Sequence, residues 1–158
     1  MNGWNGLLGI AVGGPVDMWS VGAYVPNQIV RESLVLHGDP LTWIVYPHPV
    51  VQGAQPKDQH SLRGVSVDPV GGAWAVGSNV VDVNNVNVSK TLIVYRAPGS
   101  LLWSVLQDQP NGSANGLSGV AAVADNDVWV AGWYHDPKHV YPLCLFEHWD
   151  GNNWKAFP

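Results

Sequence analysis

The chain has 158 residues, 12% of them charged and 46% apolar, and a formal net charge of −5. Its seven lysines and arginines are scattered singly, which argues against the basic surface of a nucleic-acid-binding protein. No apolar run approaches the roughly 18 residues of a membrane span, and the first residues, MNGWNGLLGIAVGG, lack the cationic start of a signal peptide.

The 18 glycines and 12 prolines favour turns and therefore β structure. A chain of this length fits one domain, 1–158, that buries roughly 70% of the surface of the unfolded chain. The single cysteine, Cys144, excludes an internal disulfide and a cysteine-rich zinc site. Because Cys144 lies in the apolar run LCLF, we expect its side chain to be buried. Low charge and a single cysteine favour a bacterial extracellular or cell-surface location.

The first predicted unit, residues 6–49, begins with LLGIAVGGPVDMWSVG (7–22). Ile10 and Val12 alternate with small residues at the period of two that is typical of a β-strand. A turn rich in glycine, proline and aspartate follows, and WSVG predicts a second strand. Further along, SLVLHGDPLTWIVYP holds two apolar stretches around a turn, which predicts a second hairpin.

The second and third units repeat this pattern. LRGVSVDPVGGAWAVG (62–77) and LSGVAAVADNDVWVAG (117–132) align with the first segment without a gap, at steps of 55 residues. The shared positions are Gly9, Gly64 and Gly119, then Trp19, Trp74 and Trp129, then Gly22, Gly77 and Gly132. A second tryptophan follows in each unit: Trp43, Trp103 and Trp154. We therefore predict an all-β chain of three four-stranded units, 6–49, 60–110 and 115–158, with the repeated residues in structural roles.

The third unit carries the most complete version of a recognisable motif, which ends in HWDGNNW (148–154). It resembles the kelch-like and Asp-box repeats of bacterial, galactose-oxidase-like β-propellers. The first unit keeps His37 and Asp39 with Gly38 between them, and the second departs further, with Arg96 followed by APG. The resemblance implies that each unit is a propeller blade, but it implies no particular activity. A β-trefoil, which also has three repeats, remains the alternative fold.

Two aspartates, Asp17 and Asp127, each stand two residues before a repeated tryptophan, and the second unit has Gly72 there. We interpret them as turn residues that accept hydrogen bonds from backbone N–H groups. We expect His37 and His148 to bond within the last hairpin of their units. The repeated tryptophans are predicted to pack one blade against the next.

Propellers close with about four to eight blades, so three blades would leave an apolar face exposed at each end. The expected completion is a six-bladed ring made by a homodimer, or further blades in a larger propeller.

The segments that differ most between units are 23–33, 47–60, 78–90, 107–116 and 133–142, and we interpret them as loops at one rim. The candidate ligand-binding residues there are Tyr24, Asn79, Trp133, Tyr134, His135 and His139. Aromatic faces beside polar groups suit a carbohydrate or peptide ligand. His135, Asp136 and His139 lack a helix to align them and have Pro137 between them, so we predict no metal and no cofactor.

Features of an enzyme are few. Glu32 and Glu147 are the only glutamates and occupy non-equivalent positions, and no nucleophile elbow or phosphate-binding glycine loop occurs. The three arginines resemble the cluster of sialidase-like propellers, but they occupy different repeat positions: Arg31, Arg63 and Arg96. The predicted function is non-enzymatic recognition or scaffolding. The alternatives are a lectin with aromatic pockets between blades and a degenerate sialidase-like glycoside hydrolase.

Overall fold

The computed structural model describes residues 4–26, 30–49, 58–83, 86–106 and 114–157. Within these ranges the chain forms twelve β-strands and no helix, so the all-β prediction is confirmed. The strands make three four-stranded antiparallel sheets, and strands adjacent in sequence are neighbours in each sheet. This part of the chain therefore holds no helix of the length and apolar character needed to cross a membrane.

The sheets follow one another along the chain. Sheet 1 contains β1 (Asn5–Gly14), β2 (Asp17–Tyr24), β3 (Glu32–Gly38) and β4 (Trp43–Val45). Sheet 2 contains β5 (Gln59–Val67), β6 (Ala73–Val83), β7 (Val86–Arg96) and β8 (Ser104–Leu106). Sheet 3 contains β9 (Ala114–Ala124), β10 (Asp127–His135), β11 (Leu143–Trp149) and β12 (Trp154–Phe157).

A bulge interrupts the pairing of the first two strands at the same place in each sheet. In sheet 1 the register shifts between Leu7 and Gly9, opposite Gly22. A Cβ atom on Gly22 would overlap the carbonyl oxygen of Gly6 on the neighbouring strand, and Gly77 and Gly132 meet the same obstacle. The repeated glycine is therefore required by close backbone contact at the bulge.

Sheet 2 lies between sheets 1 and 3, with a buried cluster at each junction. The first cluster joins Trp19, Val21, Val35 and Tyr46 of sheet 1 to Leu62, Val65, Val94 and Trp103 of sheet 2. The second joins Trp74, Val76 and Ile93 of sheet 2 to Leu117, Val128, Val130 and Leu145 of sheet 3. Side chains alternate along each strand, so every sheet offers two different faces.

We name these faces by the tryptophans that they carry. The forward face bears the first tryptophan of each repeat (Trp19, Trp74, Trp129), and in sheets 1 and 2 it packs against the next sheet. The backward face bears the second tryptophan (Trp43, Trp103, Trp154), and in sheets 2 and 3 it packs against the preceding sheet. Each junction inside the chain therefore joins a forward face to a backward face.

The two end faces remain largely exposed. On the backward face of sheet 1, Ile10 is 66% exposed, whereas Val65, its counterpart in sheet 2, is 8% exposed. The forward face of sheet 3 carries exposed Trp129 and Phe146. Cys144 lies on that forward face, paired with Trp133, and its side chain is exposed. The prediction that Cys144 is buried is therefore wrong, because no other described part of the chain covers this face.

Several predicted loops are partly or mainly strand. Most of 78–90 belongs to β6 and β7, which form one long hairpin. Residues 133–135 belong to β10, and 114–116 belong to β9. Parts of the other divergent segments, namely 27–29, 50–57 and 107–113, lie outside the described residues.

Candidate functional site

The repeated tryptophan of sheet 1 is held by an aspartate and a histidine. The indole Nε1 of Trp19 donates a hydrogen bond to Asp17 Oδ1 at 2.7 Å. His37 Nε2 lies 2.9 Å from the same carboxylate oxygen. The His37 ring stacks on the indole, with 4.1 Å between ring centroids. The three side chains therefore tie the start of β2 to β3.

Sheet 3 builds the same unit. Trp129 Nε1 donates to Asp127 Oδ1 at 3.1 Å, His148 Nε2 lies 2.8 Å from that oxygen, and the two rings stack at 4.2 Å. The identical arrangement at two repeat positions identifies it as part of the architecture. It includes none of the candidate ligand residues.

Sheet 2 reaches the same result with different residues. Gly72 replaces the aspartate, and the carboxylate of Asp68 occupies the space that a side chain at Gly72 would need. Asp68 Oδ2 accepts a longer hydrogen bond, 3.4 Å, from Trp74 Nε1. Tyr95 takes the place of the histidine, with its ring centroid 4.4 Å from that of Trp74.

Two predicted details are therefore wrong. The carboxylates of Asp17 and Asp127 bind an indole and an imidazole, where backbone N–H groups were expected. The histidines bond across to the second strand and not within the last hairpin. Other aspartates accept backbone N–H groups, among them Asp39, from Leu41 and Thr42, and Asp150, from Asn152 and Asn153.

Three of the predicted ligand residues share one repeat position. Tyr24, Asn79 and Tyr134 lie on the second strand of each sheet, where they pair with Asn5, His60 and Asn115. Because this row lies on the backward face, Tyr134 packs against the cluster between sheets 2 and 3. The structure therefore places these three side chains at three separate junctions or end faces.

The remaining predicted ligand residues lie on β10 of sheet 3 or in the turn that follows it. Trp133 precedes Tyr134 on β10, so it lies on the opposite, forward face. His135 ends β10, and His139 lies in the following turn. His139 Nδ1 is 3.2 Å from Asp136 Oδ2, and Asp136 Oδ1 accepts a hydrogen bond from Lys138 N at 2.9 Å.

The hydrogen bond from the backbone of Lys138 holds the pKa of Asp136 below its usual value, and the hydrogen bond from His139 lowers it further. Among the described residues, no three His, Cys, Asp or Glu side chains converge as metal ligands do.

Tyr24 lines a cavity of about 420 Å³ beside β3 and β4. The other lining residues are Asn5, Ser33, Leu34, Val35, Leu36, Val45, Tyr46 and His48. The Tyr24 hydroxyl donates to Glu32 Oε2 at 2.6 Å, and this hydrogen bond to a carboxylate raises the pKa of Tyr24 to about 12. His48 Nε2 lies 3.9 Å from the same carboxylate oxygen. The cavity is therefore apolar with a polar edge.

Further polar atoms lie at the neighbouring junction of sheets 1 and 2. The backbone N–H of His60 donates to Arg31 O at 2.9 Å. His60 Nδ1 and Asn79 Oδ1 are buried, as is Ser33 Oγ, and none of the three has a hydrogen-bond partner among the described residues. Burial lowers the pKa of His60, because desolvation disfavours the imidazolium form.

The cavity, with Tyr24, Glu32 and His48 at its polar edge, forms the candidate functional site. His60 and Asn79 lie at the next junction. Apolar walls with a few convergent polar groups are typical of small-ligand sites. Sequence reasoning identified Tyr24 but missed Glu32 and His48 as its neighbours. Only the strand register brings these residues together, so no motif or spacing in the sequence could have found them.

The three arginines lie in separate places. The Arg31 guanidinium lies over the ring of Trp4 at 5.6 Å. Arg96 lies over Trp19 at 4.8 Å and donates from Nε to Ser100 O at 2.7 Å. Arg63 is exposed on β5. They do not form the carboxylate-binding cluster that the sialidase-like alternative requires.

Comparison of the sequence with models of known protein families gave no match. A search of curated proteins found no similar protein either. The fold and the site geometry therefore carry the functional argument.

Proposed function

We propose that the chain is a non-enzymatic β-propeller module, of the kelch-like or Asp-box type, that acts in recognition or scaffolding. In this proposal each sheet is a blade, and self-association completes the ring. A homodimer of six blades is the expected form, and further blades of a larger propeller are the other way to complete it.

One observation carries the proposal: within the described residues, the chain makes the same forward-to-backward contact twice and leaves one face of each kind largely uncovered. Isolated apolar side chains are common on protein surfaces, but contiguous apolar patches of this kind mark interaction sites. Because the exposed residues occupy the repeat positions that are buried elsewhere in the chain, a further sheet of the same kind is the expected cover.

Light scattering across a concentration series tests the self-association. A particle of about twice the 17.0 kDa chain mass supports the closed dimer. A monomer at every concentration would contradict ring closure by self-association.

Recognition is proposed at the cavity that Tyr24 lines, in a chain whose backward face is not yet covered by another sheet. A carbohydrate or a peptide suits apolar walls with hydroxyl, amide and imidazole groups at the margin. Glycan and peptide arrays probed with the wild-type chain and with Tyr24→Phe test this site. Specific binding that weakens in the variant supports recognition here, and binding unaffected by the variant places the ligand elsewhere.

The 420 Å³ cavity also supports a lectin as the second candidate function. Several residues that line the cavity, among them Tyr24, Leu36 and Val45, lie on the backward face of sheet 1, which the scaffold proposal covers with another sheet. A sugar in the cavity should therefore compete with self-association and shift the mass towards the monomer. A sugar that binds without changing the mass would contradict a lectin site in this cavity.

A further inference from the structure

The two end faces repeat the residues of the internal junctions. On the forward face, Trp19, Val35 and Tyr46 of sheet 1 correspond by strand register to Trp129, Phe146 and Phe157 of sheet 3. On the backward face, Leu62, Val65 and Trp103 of sheet 2 correspond to Leu7, Ile10 and Trp43 of sheet 1. The internal residues are buried, and their counterparts at the ends are partly or largely exposed.

An edge-to-face tryptophan pair marks each internal junction. Trp103 of sheet 2 meets Trp19 of sheet 1, with ring centroids 5.5 Å apart and planes at 90°. Trp154 of sheet 3 meets Trp74 of sheet 2 at 6.4 Å and 77°. Each pair joins a first tryptophan on a forward face to a second tryptophan on a backward face. Trp129 on sheet 3 and Trp43 on sheet 1 are the tryptophans of these two kinds that lack such a partner among the described residues.

The repeated glycine of the first strand is independent evidence that a sheet is missing next to the forward face of sheet 3. A Cβ atom on Gly9 would lie 2.8 Å from Arg63 O, and one on Gly64 would lie 3.0 Å from Ser118 O. The first strands of successive sheets therefore approach so closely that a side chain at this position would crowd the neighbouring backbone. A Cβ atom on Gly119 would meet no described atom within 4 Å. Nothing within sheets 1 to 3 explains why this position is also glycine.

The cavity is further evidence that the backward face of sheet 1 is not covered. It lies beside Leu36 and Val45, whose counterparts in sheet 2 are Val94 and Val105. Val94 and Val105 pack into the cluster that sheet 1 fills with its forward face. A second forward face, with Phe146 and Phe157 in place of Val35 and Tyr46, would fill the cavity in the same way.

We infer that the forward face of sheet 3 docks on the backward face of sheet 1 of a second copy, with Trp129 of one copy against Trp43 of the other. The inference rests on the self-association in the proposed function, and it adds which two surfaces meet. A second copy is the occupant because it presents the same two surfaces that the chain already joins at both internal junctions. The contact is head to tail, so each copy contributes a different face.

One variant disables each face. Gly119→Val disables the forward face of sheet 3, because its side chain would meet the backbone of the docked second copy. In the single chain the same side chain has open space. Ile10→Glu puts a charge on the exposed backward face. We expect each variant to keep the wild-type circular dichroism spectrum and to raise the dimer dissociation constant by about 30-fold or more, as for central interface residues.

Ser118→Val is the matched control for Gly119→Val. It places a valine one residue earlier on β9. The counterpart of Ser118 in sheet 2 is Arg63, which is exposed although sheet 2 is packed on both faces, so this position does not enter the junction. We expect Ser118→Val to dimerise like the wild type. Dimers of Gly119→Val and Ile10→Glu that are as stable as the wild-type dimer would overturn the inference while leaving self-association intact.

A mixture of the two disabled variants gives the decisive measurement. The intact forward face of the Ile10→Glu chain can still dock on the intact backward face of the Gly119→Val chain. Each variant alone has both contacts of the closed dimer disabled, whereas the mixture restores one of the two. We therefore expect the mixture to form a heterodimer at concentrations where each variant alone is monomeric. If the mixture stays monomeric while the wild type dimerises, the two faces do not meet. If the wild type itself never dimerises, both the inference and the proposed self-association fail.

Cys144 provides a readout that needs no substitution. Its thiol is exposed on the forward face of sheet 3, so a thiol reagent should label it rapidly in dilute protein. Labelling should slow as the concentration rises and the face is covered. An equal labelling rate in monomer and dimer would contradict docking through this face.

Discussion

Replacing Trp74 with alanine should destabilise the folded monomer more than the same replacement of Trp129. The Trp74 side chain is 2% exposed and that of Trp129 is 42% exposed. With ~250 Å² for a tryptophan side chain, the difference in buried area is about 100 Å², which is worth roughly 2.5 kcal/mol at ~25 cal/mol per Å². Both indoles donate to an aspartate, so the loss of that hydrogen bond largely cancels in the comparison.

The assay is urea denaturation followed by far-ultraviolet circular dichroism, at concentrations where light scattering gives the monomer mass. Core replacements of this kind cost about 3–5 kcal/mol, which is our expectation for Trp74→Ala. We expect Trp129→Ala to cost about 1–2 kcal/mol, because less buried apolar area is lost and the space left by the removed indole is open to solvent. Trp19→Ala, at the other internal junction, serves as the control and should behave like Trp74→Ala.

Equal losses for Trp74→Ala and Trp129→Ala in the monomer would refute this reasoning, since they would mean that the two indoles have similar surroundings. At concentrations that favour the dimer, the gap between the two variants should narrow. In the dimer Trp129 would be covered by the second copy, so its loss would also weaken assembly.

Three further outcomes follow from the hydrogen bonds. Asp17→Ala should cost about 1–3 kcal/mol in urea denaturation, since it leaves a buried indole N–H without its acceptor, and an unchanged unfolding midpoint would contradict that role. Hydrogen bonds from two backbone N–H groups lower the pKa of Asp39 and of Asp150 in the folded state, so each carboxylate stabilises the folded state. This contribution is fully present above the ordinary carboxyl pKa and is lost as the pH falls through the lowered pKa. Ordinary carboxyl pKa values for Asp39 and Asp150, measured by NMR titration, would contradict this expectation. Glu32→Gln should bring the pKa of Tyr24 down from about 12 towards 10.0, measured by ultraviolet absorbance of the phenolate, and an unmoved pKa would rule out Glu32 as its cause.

The sequence predicted the sheets well because their determinants are local. Period-two alternation, as at Ile10 and Val12, fixes which residues can share a face of a strand. The glycine columns depend on backbone contacts that recur in every repeat, so they are visible as identities at a constant step. Divergent segments misled the loop assignment, because Val86 and Val88 alternate with polar residues in a strand pattern that has no counterpart in the other units.

Neither the aspartate–tryptophan–histidine units nor the candidate site could be predicted, because their contacts depend on strand register. Asp17 lies two residues before Trp19, a spacing that equally suits a turn aspartate, and only the paired strands bring His37 onto the same carboxylate. The cavity likewise combines Tyr24 with His48, which follows the last strand of the sheet. No local pattern encodes such a pairing, since either strand could shift by two residues and keep the same alternation.

The difference between the forward and backward faces limits how this chain can bury its apolar surface. Because every junction joins unlike faces, a row of sheets of any length ends in one forward and one backward face. Adding sheets moves those ends but does not remove them; only closure into a ring does. If the rotation between successive sheets allows closure at two chains, the mass distribution should show one discrete species. If it does not, the same head-to-tail contact would propagate, and the chain would form a ladder of larger species that lengthens with concentration.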